Sequence, residues 1–250
     1  MREKIMLISG CSHASGSEID GTQDSSYNRE HSFGGQLAKK LGYEAVNIAS
    51  VASTNPTIAR NIIEWVSENY NPEKMDLYVL IAWTETSRME VPSSLRDTKY
   101  HEWNSSTPWY TETDVKFYRI NSGHDGGTPD ERELFPIYHR FMADNQVYLE
   151  VYTLNLVLQL QYFLNSKNIN YTMCNAMSMV SDNIQVKSYI NQIDKSKYMN
   201  FDDNTESFWL LYKKLNYINP LAKYWHHGIE PHTLYAEKLY DFVTNPHESE

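Results

Sequence analysis

The sequence predicts an α/β fold built on a parallel sheet. Strand and helix patterns alternate through the first ninety residues with short connections, which is how parallel strands are joined. The third of these strands is apolar almost throughout, as a strand covered on both faces must be. A chain of 250 residues can also bury well over half of its unfolded surface, so it needs neither disulfide nor metal to hold a core.

Lys4 to Ser9 is a short apolar run ending in a Gly10-Cys11-Ser12 turn, the pattern of a buried strand feeding a loop. Phe33, Leu37 and Leu41 recur at spacing four and mark a helix face, with Gly42 as C-cap. Tyr43 to Ala49 reads as the second strand. Thr54-Asn55-Pro56 then offers a polar cap with proline in the first turn of a helix whose apolar face is Ile58, Ile62 and Trp65. Asp76 to Trp83 is the third strand. The regular pattern stops at about 89–143, a stretch rich in Pro, Gly, Ser and Thr that reads as an insertion within a single 1–250 domain. Val147, Val151, Leu154, Leu158 and Tyr162 predict a helix over about 144–166, and Ile169 to Cys174 a fourth strand. A short helix is expected near 206–215. A last helix is expected to start near His232, with Tyr235, Ala236, Leu239, Phe242 and Val243 on one side.

Composition narrows the function classes. Two cysteines, Cys11 and Cys174, exclude a disulfide-rich scaffold and a cysteine zinc site. A net charge of −10 disfavours a duplex nucleic-acid partner. No apolar run approaches the roughly 18 residues of a membrane span, so no membrane partner is expected. The start of the chain shows no signal-peptide core. Aromatic residues are abundant, with Tyr 19, Phe 8 and Trp 6, and 13 of them fall between Tyr100 and Phe163. Tyr100, Trp103, Trp109, Tyr110, Phe117 and Tyr118 lie in the polar insertion and suggest an aromatic lid above the site.

In an open parallel sheet, ligands bind beyond the C-terminal ends of the strands. Four segments converge there: residues 10–16, 47–55, 82–88 and 226–232. Together they carry a hydroxyl nucleophile, small residues with free backbone N–H groups, and imidazoles, the parts that acyl transfer needs. His226, His227 and His232 lack a recognised metal-ligand spacing, so neither metal nor other cofactor is expected. Cys11 is expected to pack behind the nucleophile.

The order and spacing of these segments resemble the SGNH (GDSL-like) hydrolases, in the Gly-Cys-Ser variant common in phages and bacteria. The resemblance implies a flavodoxin-like three-layer α/β/α fold and a serine esterase or deacylase acting on a small-molecule or glycan ester, with an O-acyl carbohydrate as one such substrate. It places the nucleophile at Ser12. The second block of the family falls on Asn47, Ala49, Thr54 and Asn55, with its oxyanion glycine at Ala52. The third block puts Thr84 at the position of an oxyanion Asn, followed by Arg88, either an anion clamp or a structural ion pair. In the last block His226 suits the base and His232 the second histidine, with His227 and His232 as alternative bases. Lys223 stands where the family carries its acid, which leaves a Ser–His dyad, or an acid supplied by Glu230 or Asp202. Cys11, Ala52, Thr84 and Lys223 all depart from the usual pattern. A catalytically altered protein of the same fold, serving as a binding or virion-associated module, is therefore the alternative. The expected location is cytoplasmic or virion-associated.

Overall fold

A computed structural model describes residues 2–93, 116–120, 129–140, 145–177, 184–217 and 219–245. Among them, four parallel strands form one sheet in the order β2-β1-β3-β6: β1 (Glu3–Gly10), β2 (Glu44–Asn47), β3 (Met75–Trp83) and β6 (Asn170–Asn175). Strands β4 (Met89–Ser93) and β5 (Lys116–Ile120) pair antiparallel as a separate ribbon. The helices are α1 (Ser12–Ser15), α2 (Ser26–His31), α3 (Phe33–Leu41), α4 (Asn55–Asn69), α5 (Pro129–Tyr138), α6 (Gln146–Ser166), α7 (Lys187–Ile190), α8 (Phe208–Lys214) and α9 (Ile229–Thr244).

Strand alternation explains the layers. Successive side chains of a strand point to opposite faces, so a strand with apolar residues at both parities must be covered twice. Ile5 and Leu7 of β1 and Val79, Ile81 and Trp83 of β3 pack with Ile58, Ile62 and Trp65 of α4 and Leu154, Val157 and Leu164 of α6. Met6 and Ile8 of β1 and Leu80 and Ala82 of β3 pack with Phe33 and Leu37 of α3, Phe208 of α8 and Tyr235 and Leu239 of α9 on the other side. The result is the three-layer α/β/α arrangement that the sequence predicts. Its order reverses between β1 and β3, the switch point beyond which such sheets bind ligands.

The expected helix ends follow their caps. Ser32 Oγ accepts from the Gly35 amide at the start of α3, and Gly42 closes that helix in the left-handed conformation at φ 73°. Thr54 Oγ1 accepts from the Thr57 amide at 3.2 Å to open α4. Two helices differ from expectation. The last helix begins at Ile229, before His232, because Pro231 falls in its first turn, where a missing N–H costs nothing. In α6 the buried positions include Leu149, Leu154, Val157, Leu160 and Leu164, while Tyr162 is 55% exposed. That helix is apolar on nearly every side, so periodicity alone misplaced its buried face by part of a turn.

The aromatic stretch also divides. Tyr138 packs with Met89, Leu149, Phe135 and Tyr152 in a small separate core. Tyr100, Trp103, Trp109 and Tyr110, and the side chains of Phe117 and Tyr118, lie outside the described residues, and so does most of the expected lid.

Gly10 ends β1 where the α1 turn and β3 press against it. A Cβ there would stand 2.5 Å from Ala14 Cβ and 2.9 Å from Ala82 O, so neither the α1 turn nor β3 leaves room for it. Gly10→Ala is expected to cost about 1–3 kcal/mol, the usual range for overpacking, read as a lower urea midpoint at unchanged slope.

Candidate functional site

The loops after β1, β2 and β3 are held side by side. The Ile48 amide donates to Ile8 O at 2.8 Å and the Ser50 amide to Gly10 O at 3.2 Å, so pairing continues past β2 and carries the second loop alongside the first. Asn47 Nδ2 donates to Ala14 O at 3.0 Å, and Asn47 Oδ1 accepts from the Ala49 amide at 3.1 Å, which fixes the α1 turn against that loop. Ser12 opens α1 and is nearly buried. Its carbonyl accepts from Ser15 Oγ and the Ser17 amide. Its amide and its hydroxyl have no hydrogen-bond partner among the described residues, and neither has the amide of Ala52.

Ala52 adopts φ 57°, the left-handed region where glycine stands in the resembled pattern. A Cβ there costs on the order of 1–2 kcal/mol, so the conformation is held by its surroundings rather than preferred by the residue. Thr84 is fully buried and its Oγ1 has no partner among the described residues. Asn55 is turned to a different task from substrate contact. Its Oδ1 accepts from the Thr84 amide at 2.9 Å and its Nδ2 donates to Thr84 O at 3.1 Å and Glu85 O at 3.4 Å. With both ends of its amide committed, Asn55 clamps the backbone just past β3.

The three candidate bases separate by their hydrogen bonds. His226 Nδ1 lies 2.6 Å from Glu18 Oε2. A carboxylate only accepts, so Nδ1 carries the proton and Nε2 presents its lone pair. His227 lies between two carbonyls, Tyr217 O and Trp209 O, each at 3.3 Å. His232 is deep in the core, stacked on Phe33, with Nδ1 accepting from the Phe33 amide at 3.1 Å. Burial drives its pKa down to about 3. His227 and His232 are thus held by backbone groups, and neither has a carboxylate on its ring as His226 has.

Glu18 is the residue that sequence reasoning missed. Its side chain is 2% exposed. Besides His226, it accepts from the Lys223 amide at 2.8 Å and the Tyr224 amide at 3.0 Å. Burial opposes its ionisation, but the His226 ring and the two amides outweigh burial and hold the carboxyl below its ordinary range. Lys223 thus meets the site through its backbone, not its side chain. Neither acid expected from sequence reaches the ring: Asp202 is paired with Lys195 at 2.7 Å, and Glu230 is exposed in the first turn of α9. No motif marks Glu18. It lies six residues after Ser12, on a left-handed residue at φ 66°, and meets His226 across 208 residues of sequence.

Two further groups surround the imidazole. The ring of His13 is 5.0 Å from that of His226, and its buried Nδ1 is unpartnered among the described residues. Arg88 donates from Nε to Glu85 Oε2 at 3.3 Å and from Nη2 to Met177 Sδ at 3.2 Å. Its positive charge helps to depress the pKa of both His13 and His226, behind the larger effect of burial. Arg88 is thus an ion-paired residue close enough to bias the histidines. Among the described residues no group of three or more His, Cys, Asp and Glu side chains is disposed to hold a metal ion. Nor is any described helix long and apolar enough to cross a membrane.

Fold and site together define an α/β/α protein with a serine and a carboxylate-bound histidine at the switch point of its sheet. The chain belongs to the family described as "Family of unknown function (DUF6071)", whose profile matches residues 17–248. That span includes Glu18 and His226 and begins after Ser12. No curated protein matches by sequence. Three solved structures to which the chain is similar are as follows. One is a carbohydrate esterase whose active site "displays divergent catalytic and non-catalytic binding functions", at 10% identity and TM-score 0.43, covering 99% of this chain and 67% of the other. A second is the psychrotrophic esterase EstA from Pseudoalteromonas sp., at 11% identity and TM-score 0.41, covering 97% and 98%. A third is the acetyl xylan esterase Est2A from Butyrivibrio proteoclasticus, at 11% identity and TM-score 0.42, covering 98% of this chain and 64% of the other.

All four histidines of the site have pKa values below the usual 6.5, with burial as the leading cause. The unfolded chain therefore binds more protons than the folded one below about pH 6.5, and stability falls as pH falls. Each histidine that stays neutral takes away about 1.4 kcal/mol per pH unit below that point. Urea midpoints measured from pH 7 to pH 5 are expected to fall steadily, and a flat profile would contradict these environments.

Proposed function

We propose that the protein is a serine esterase or deacylase in which Ser12, His226 and Glu18 act as nucleophile, base and orienting acid. The observation that carries this reading is the buried Glu18–His226 pair at 2.6 Å, beside the turn by which the first strand passes from Gly10 into Ser12. Ser12 Oγ attacks the acyl carbonyl and passes its proton to His226 Nε2. Glu18 holds the ring in the tautomer that can accept it and stabilises the imidazolium that forms. The oxyanion is met by the uncommitted amides of Ser12 and Ala52 and by the spare hydroxyl of Thr84. The imidazolium then returns its proton to the leaving alcohol, and water repeats the sequence on the acyl-enzyme. An O-acyl carbohydrate is the proposed substrate class.

Ser12→Ala is expected to abolish hydrolysis of short acyl nitrophenyl esters, and wild-type turnover in that variant would remove the assignment. Glu18→Gln keeps the shape but replaces an acceptor with an amide. It should lower kcat about 10²–10⁴-fold with little change in KM, the pattern of a lost orienting acid.

The pH profile gives an independent check. The base must be neutral, and His226 has its pKa lowered by burial, partly offset by Glu18. The acid limb of kcat/KM should therefore lie below pH 6.5 and move lower still in Glu18→Gln, which removes the group that raises it.

One observation favours a second reading. Ser12 Oγ makes no hydrogen bond to His226 among the described residues. A binding module on the same fold has no need of that contact, whereas catalytic contacts of this kind tighten only in the substrate complex. Labelling of Ser12 by a fluorophosphonate separates the two: rapid labelling supports the esterase, and none, together with inactivity across an acyl panel, supports the binding module.

A further inference from the structure

His226 and His227 also line a cleft of about 750 Å3, a size typical of small-ligand sites. Its walls include Trp209, Tyr217 and Trp225 beside the two histidines. Trp225 is 87% exposed and stands on a left-handed backbone at φ 66°. A bulky residue at positive φ is a genuine outlier, and such strain gathers at ligand sites. The indole is thus presented to solvent at a cost to the fold, one residue from the candidate base.

Charge distinguishes this cleft from the rest of the surface. The chain carries 32 acidic residues against 22 basic, yet the cleft is lined by Lys213 and Lys223 and by no carboxylate among the described residues. Lys213 Nζ lies 4.2 Å from the centroid of the Trp209 ring, which holds that cation against an aromatic wall. Lys223 is exposed, and its ammonium has no partner among the described residues. Its position is fixed by its own backbone amide, which Glu18 accepts at 2.8 Å.

We propose that this cleft binds the alcohol portion of the substrate and selects a pyranose ring that carries a carboxylate. The placement rests on the esterase reading, because the imidazole that protonates the leaving alcohol must face it, and His226 lines the cleft. Trp225 and Trp209 offer flat faces to the ring, and Lys213 and Lys223 meet its charge. Trp209, Tyr217 and Trp225 thus form an aromatic wall on the side of the candidate base.

The test is a calorimetric titration of the full chain with methyl glucuronoside and with methyl glucoside, which involves no ester and no turnover. The glucuronoside is expected to bind at least tenfold more tightly. That preference should disappear in Lys213→Ala/Lys223→Ala, and Trp225→Ala should weaken both ligands. Equal affinities, no binding of either, or a preference unchanged in the double lysine variant would overturn the proposal. Binding of the glucuronoside by a chain that hydrolyses no ester supports the cleft and removes the esterase reading. Ester hydrolysis by a chain blind to the carboxylate does the reverse.

Discussion

The Glu18 carboxylate is buried beneath the loop that carries His226, and the placement of that loop follows from the donors the carboxylate requires. A buried charge is costly unless it is fully hydrogen-bonded. Here the Lys223 amide, the Tyr224 amide and the His226 ring supply the donors, and all three belong to one stretch ahead of α9. Asn219 adds a bond of its own to the backbone of Glu18, with Nδ2 donating to Glu18 O at 2.8 Å. Two ends of the chain are thereby joined at the rim of the sheet. Left-handed residues at Glu18 and Trp225 are part of the same bargain, since the tie fixes conformations that the chain would not choose locally.

Four histidines in this region show how environment divides one side-chain chemistry. His232 is a core acceptor for a helix N–H, His227 lies between two carbonyls and can donate its single N–H to one of them, and His13 packs against Phe208 and His226. His226 alone has a carboxylate on one nitrogen and an uncommitted second nitrogen among the described residues. Burial lowers the pKa of all four, so proton affinity does not distinguish them. Hydrogen-bond partners do. The same reasoning assigns Asn55 to the backbone just past β3 and leaves the Thr84 hydroxyl without a partner among the described residues.

Much of the fold was legible from residue order, because strand and helix periodicity are local properties. Continuous apolar runs marked β1 and β3, and the caps at Thr54 and Gly42 marked their helices. Where local signal was ambiguous, the reading drifted: α6 is apolar nearly all round, and its buried face was decided by α4 and the sheet. The meeting of the loops after β1, β2 and β3 was also legible, since parallel strands with short connections deliver their C-terminal loops to one edge.

By itself, then, the sequence determined the α/β class, the end of the sheet at which chemistry belongs, and Ser12 and His226 as candidates. Tertiary structure alone decided which acid meets the imidazole, which backbone groups hold the other histidines, and that Trp225 stands exposed beside His226. The physical reason is separation along the chain. Glu18 and His226 stand 208 residues apart and His232 and Phe33 199 apart, and such contacts leave no periodic trace that a local pattern can carry.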